Sequence, residues 1–160
     1  DAPALVAAVD DAEIHRWLET IPNPYTPADA DEFLFNTRRD LAEGRGVALA
    51  VTGEGGLLGA VGLRLDAGNP GVGEVGYWVA AAARGRGVAT TATRALSDWA
   101  LGDLGLRRVE LYAAVGNAAS RTVAERAGFE FEGIRRAWRT IHDEPTDFAA
   151  YARVTEVRQP

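Results

Sequence analysis

The chain has 160 residues, 47% hydrophobic and 25% charged, with a formal net charge of −6 and a pI near 4.9, values that fit one globular domain spanning 1–160. It contains no Cys, which excludes disulfides, thiolate metal sites and a cysteine nucleophile. Every basic residue is Arg, which excludes lysine Schiff-base chemistry and a lysine-dependent P-loop.

No apolar run approaches the ~20 residues a membrane span needs, and no leader pattern precedes the first helical pattern. The acidic balance lacks the basic stripe of a nucleic-acid binder. These features predict a cytoplasmic protein with neither membrane nor nucleic-acid partners, and an acidic surface leans weakly towards an amine-bearing one. His15 and His142 stand in no metal-ligand spacing, so no metal is expected. Abundant Ala, Gly and Arg without Lys match a GC-rich bacterial genome.

Residues Ala4 to about Glu19 carry a helical pattern. The chain opens without Met and already helical, so processing, or an N-terminal strand missing ahead of it, is expected. In "IPNPYTP", Thr26 is placed to N-cap a helix with Pro27 at its first position. That helix carries Phe33, Leu34 and Leu41 and stops at Gly44 or Gly46. Val47, Leu49 and Val51 alternate, Gly55-Gly56 turn, and Gly59, Val61, Leu63 and Leu65 alternate again, which predicts a hairpin. A third strand, Glu74 to Ala80, completes an antiparallel meander. A helix over Ala89–Leu104 follows, with Leu96, Trp99, Ala100 and Leu104 assigned to the core. A strand over Arg108–Val115, a short helix in "NAASRTVAERAGF", and two closing strands around the polar loop "IHDEP" end the chain. The order α-α-β-β-β-α-β-α-β-β is α+β, with one obvious parallel crossover.

The segment "RGRGVAT" sits at a strand-to-helix turn. A helix N-terminus offers unpaired N–H groups and partial positive charge, and glycines let an anion approach the backbone. Arg84 and Arg86 are long enough to reach outlying phosphates. A P-loop is ruled out because Gly87 is followed by Val88. A dinucleotide fingerprint counted from Gly85 meets Thr90 where Gly or Ala belongs, and the turn comes after a β-meander rather than opening the fold.

Together, "GEVGYWVAAAARGRGVATTATRAL" and "LRRVELYAAVGNAASRTVAERAGFEFEG" resemble the GNAT superfamily of acyl-CoA-dependent N-acyltransferases, in the branch of ribosomal-protein N-terminal (alanine/serine) acetyltransferases. The signature R/Q-x-x-G-x-G/A falls on Arg84, Gly87 and Ala89, and the resemblance covers roughly Val47 to Val154. It implies a mixed, mostly antiparallel sheet splayed at a central V and flanked by about four helices. Acetyl-CoA, the only cofactor implied, would lie in the V. Backbone of Trp78, Val79 and Ala80 would bind the pantetheine, with an N–H near Val79 on the thioester carbonyl. Amides of Arg84, Gly85, Arg86, Gly87, Val88, Ala89 and Thr90 would hold the pyrophosphate.

The resemblance also places Asn117 against the pantetheine and Ser120 near the thioester sulfur. Many relatives carry a Tyr acid seven residues after that Asn, where this chain has Ala124, so Ser120 is the expected substitute donor. Glu74, acting through water, is the first candidate for general base. Asp143, Glu144, Asp147 and His142 are alternatives in a loop near the acceptor, and His15 is read as packing or facing water. Tyr25, Phe33, Phe35, Trp138 and Arg139 are candidate walls of an acceptor pocket between the N-terminal helices and the closing strands. The implied reaction is direct attack by an uncharged primary amine, of a small molecule or a protein N-terminus, by a monomer or homodimer. A catalytically silent acyl-CoA-binding module is the competing reading.

Overall fold

Alternating apolar and small residues from Gly46 to Val79 form three antiparallel strands, β1 (Gly46–Gly53), β2 (Gly56–Leu65) and β3 (Val72–Val79), in the computed structural model, which describes residues 2–155. β4 (Arg108–Ala114) pairs in parallel with β3, and β6 (Glu144–Val154) joins β4 to β5 (Glu130–Ile141). The six-stranded sheet runs β1-β2-β3-β4-β6-β5, mixed and mostly antiparallel, as expected.

The expected first helix is two. α1 (Ala2–Val9) ends before Asp10-Asp11, and α2 (Ala12–Trp17) starts afresh. The break follows from Asp11, whose carboxylate accepts from the backbone N–H of Glu13 and Ile14 at 3.1 and 3.0 Å. α3 (Pro27–Ala42) begins as its sequence predicts, on a Thr26–Asp29 capping box with Pro at the first position. With α4 (Val88–Gly102) and α5 (Ala118–Arg126), the described residues hold five α-helices rather than about four, plus one 3-10 turn at Ala81–Ala83.

Two cores cover the two sheet faces. On one face Val61, Leu63, Val75, Val109, Leu111 and Tyr151 pack under Leu96 and Ala100 of α4 and Ala124 of α5. On the other, Leu5, Val9, Ile14 and Ala30 from α1–α3 form a second core that Trp78 joins. Trp99 and Leu104, expected in the core, are 41% and 42% exposed. The buried stripe of α4 is Thr93, Leu96, Ser97 and Ala100, and at about 100° per residue Trp99 falls beside it. Leu104 lies beyond the helix end.

The closing strands are longer than expected. His142 and Asp143, both at positive φ, form the tip of a tight hairpin that draws Glu144 and Pro145 into β6.

Candidate active site

β3 and β4 pair only from Val72↔Arg108 to Glu74↔Glu110. Beyond that, β3 stays bonded to β2 and β4 to β6, so Val75–Val79 and Leu111–Ala114 diverge as the two arms of a V. Ala80 N–H donates to Leu58 O at 2.9 Å. Backbone groups alternate sides along a strand, so Trp78 and Ala80 direct theirs at β2, whereas Val79 turns its N–H into the open V. Of the three residues expected to offer backbone there, Val79 is the one whose amide faces that way.

The small-residue turn follows the open end of the β3 arm, just past Val79. Gly87, at φ 76°, is the N-cap of α4 and supplies no side-chain cap, and the first turn holds no acid. By contrast, Asp11, Thr26 and Asn117 cap α2, α3 and α5 with their side chains. The amides of Val88, Ala89 and Thr90 thus stand at a helix N-terminus with only partial positive charge around them. Gly85 is also left-handed, at φ 72°, and Arg86 is exposed. The Arg84 side chain, expected on phosphate, instead pairs with Asp11. That guanidinium is the main reason the Asp11 carboxyl lies below its ordinary range. Nothing local in the sequence marks Asp11, because its partner lies 73 residues away.

Across the V, Asn117 caps α5 by accepting from Ser120 N–H at 3.0 Å through Oδ1, which leaves its NH2 group to donate. The Ser120 hydroxyl meets Tyr77 Oη at 2.9 Å. Tyr77, not among the expected site residues, reaches from the β3 arm to the helix that follows the β4 arm. Burial pushes its phenol above the ordinary value, opposed by the Ser120 bond.

On the opposite face a cleft of about 670 Å³ opens between α1, α3, the loop joining α2 to α3, and strands β1–β3. Tyr25, Phe33 and Arg139, three of the five candidate acceptor-pocket walls, line it together with Glu74, the candidate base. Its sheet wall is β1–β3, with Arg139 the one residue from the closing strands. Trp138 lies outside this lining, tilted against Tyr112 with ring centroids 5.9 Å apart and beneath Arg135. Phe35 is 64% exposed on the outer side of α3.

Both Glu74 oxygens accept from Arg139 at 2.8 Å, and Oε2 also accepts from Arg64 at 2.9 Å. Oε1 therefore keeps one acceptor position for a further donor. Nearby, Tyr112 donates to Glu110 at 2.7 Å. Burial first, and Glu110 second, push the Tyr112 phenol up to about 12. His142, Asp143, Glu144 and Asp147 do not line the cleft. Asp147 accepts from Ala137 N–H at 2.8 Å, inside the β5 irregularity. His15 is buried, with no hydrogen-bond partner for either ring nitrogen among the described residues, so it does not face water.

The sequence profile of the acetyltransferase (GNAT) domain matches residues 1–130. YdaF of Bacillus subtilis, named by inference a ribosomal N-acetyltransferase, is 35% identical over 139 residues, 86% of this chain and 75% of its own. A crystal structure described, again by inference, as an acetyltransferase superposes with TM-score 0.85 at 32% identity, covering 96% of this chain and 87% of that one. Mycobacterium smegmatis RimJ, solved in complex with CoA-disulfide, shares the fold with TM-score 0.87 at 22% identity, covering 99% and 80%.

Proposed function

Because this chain belongs to the GNAT acetyltransferase family, in the ribosomal-protein acetyltransferase-like branch, we propose that it moves the acetyl group of acetyl-CoA onto the primary amine of a protein N-terminus. The observation that carries this reading is the open V with an uncapped helix N-terminus past the open end of its β3 arm, and a separate cleft on the far side of the same strand. The CoA seen with RimJ and the ribosomal naming of YdaF support the donor and the acceptor class. A ribosomal-protein acceptor places the reaction in the cytoplasm, carried out by the chain as one domain.

In this reading the amides of Val88, Ala89 and Thr90 hold the pyrophosphate with the backbone of the preceding turn, and Arg86 reaches an outer phosphate. Asn117 donates to the pantetheine amide. The amine enters through the cleft and attacks the thioester carbon, whose oxygen takes negative charge against the Val79 N–H. Glu74 Oε1 accepts the amine's departing proton through a water, while Arg139 and Arg64 fix the carboxylate. The C–S bond then breaks with its electron pair on sulfur, beside the Ser120 hydroxyl. A free thiol has pKa ~8.5, so one hydrogen bond is adequate help.

The test is thiol release from acetyl-CoA with peptides bearing free Ala or Ser N-termini, beside spermidine and the same peptides blocked. Turnover confined to the free peptides is expected. Saturable CoA binding without turnover on any amine would refute the reading and leave a binding module.

A further inference from the structure

The pair Tyr77–Ser120 bridges the two arms of the V, 43 residues apart in sequence. Serines and threonines inside helices commonly spend their hydroxyl hydrogen on the carbonyl one turn back. Three here do so: Thr37 donates to Leu34 O at 3.0 Å, Ser97 to Thr93 O at 2.7 Å, and Thr122, two residues from Ser120, to Ala118 O at 3.0 Å. Ser120 makes no such bond among the described residues. It lies in the first turn of α5, and its oxygen contacts the Tyr77 phenol instead. Of the two hydroxyls the phenol is the more acidic, at about 10 before any shift, and is therefore the better donor. When Tyr77 donates, the Ser120 oxygen acts as acceptor and its own hydrogen is left for a third group.

We infer that Tyr77 is the positioning residue for Ser120, turning the serine hydroxyl hydrogen towards the sulfur of the departing thiolate. This rests on the role proposed for Ser120 and extends it to the residue that orients it. No net proton leaves Tyr77. The amine nitrogen bonds to the acyl carbon and loses its proton through water, and the C–S electron pair goes to sulfur. Ser120 stabilises that charge with a hydrogen bond, and the thiolate is protonated by solvent on release. A phenol of ordinary pKa, about 10, is protonated at neutral pH, and burial moves Tyr77 further in that direction. Tyr77 packs its ring against the core that includes Leu96 and Leu111, so Tyr77→Phe removes only the hydroxyl.

The experiment is a double-mutant cycle of Tyr77→Phe and Ser120→Ala on the full chain, reading kcat, KM and calorimetric CoA affinity. A hydrogen bond to a charged group is among the stronger ones, so Tyr77→Phe should lower kcat about tenfold or more with CoA affinity unchanged. Ser120→Ala should lower kcat at least as far, and the double variant should be no slower than Ser120→Ala alone. Tyr77→His, which retains a ring donor, should recover part of the rate and covers the case in which Phe fails to fold. Independent, multiplying losses, or lost CoA affinity with kcat intact, would overturn the inference while leaving Ser120 in place. Full activity of Ser120→Ala would instead remove the reading on which it rests.

Discussion

Gly87→Glu separates the proposed cofactor bed from the fold that carries it. Gly87 sits at φ 76°, and a Cβ built there meets no heavy atom within 4 Å, so the structural cost is backbone strain alone. Forcing an L-residue into that left-handed region costs about 1–2 kcal/mol. A carboxylate at a helix N-terminus returns about 0.3–1 kcal/mol of it. The net, near 1 kcal/mol, is small beside the ~5–15 kcal/mol of a typical domain and corresponds to about 2–4 °C in Tm. For the ligand the balance is different. Two unit charges 4 Å apart repel by about 1 kcal/mol in water and about 4 near a protein surface. Against the two charges of a pyrophosphate, even the lower figure gives about 2 kcal/mol, roughly a 30-fold loss of affinity. Gly105→Glu is the matched control: it has φ 72°, equally open space, and lies past the other end of α4, about 22 Å along the helix axis. Calorimetric titration of acetyl-CoA, with a thermal melt of each variant, reads both quantities. If folded Gly87→Glu binds acetyl-CoA as tightly as Gly105→Glu, the pyrophosphate does not lie at this turn.

Asp11→Ala removes both the α2 cap and the bond to Arg84, and should cost about 1–2 kcal/mol at pH 7 by chemical denaturation. Because Arg84 lowers the Asp11 carboxyl in the folded state, that contribution is present above the ordinary value of 3.8 and is lost as pH falls through the lower folded value. The gap between wild type and variant should therefore narrow as pH falls below 3.8, and a gap constant with pH would refute the ion pair's share. His15→Leu replaces two unpartnered buried nitrogens with a side chain of similar size and should raise Tm by about 2–4 °C. A fall in Tm would show that the imidazole has a partner in solution.

What the sequence made legible was local. The alternation from Val47 to Leu65, the Thr26-Pro27 start and the Arg84–Ala89 signature each depend on residues a few positions apart, and each stands in the structure where its pattern put it. What it hid was pairing at a distance. Asp11 read as mid-helix because its apolar neighbours keep a helical period across it, yet capping decided the break. Tyr77 carries no mark in the sequence, because nothing within its own strand points to a hydroxyl 43 residues downstream as its partner. Trp99 reads as core beside Leu96, Ala100 and Leu104 when only apolar residues are counted, whereas the buried stripe also takes in Thr93 and Ser97 and leaves Trp99 at its edge. The expected pocket walls, four aromatics and Arg139, lie on elements whose facing the sequence does not encode. Only those facing β1–β3 belong to the cleft, and the hairpin geometry that sets Trp138 aside has no local code.

In the proposed reaction the parity of β3 would let one strand serve both substrates. Side chains alternate along it, so Glu74 and Trp78 face the α1–α3 side while Val75 and Tyr77 face α4 and α5. Backbone alternates in the sheet plane at the same time, so Val79 offers its N–H in the gap between the two faces. An acyl carbon at that gap has the acceptor cleft on one side and the Tyr77–Ser120 pair on the other. In direct displacement the incoming amine and the outgoing thiolate are different atoms on one tetrahedral carbon, and here each meets its own set of side chains. The geometry needs nothing beyond β3 losing its neighbour after Glu74 while keeping β2. A one-residue slip of register would exchange the two faces, and for that reason the three pairs from Val72 to Glu74, which fix β3 against β4 just before the V opens, matter to the chemistry as much as the residues lining it.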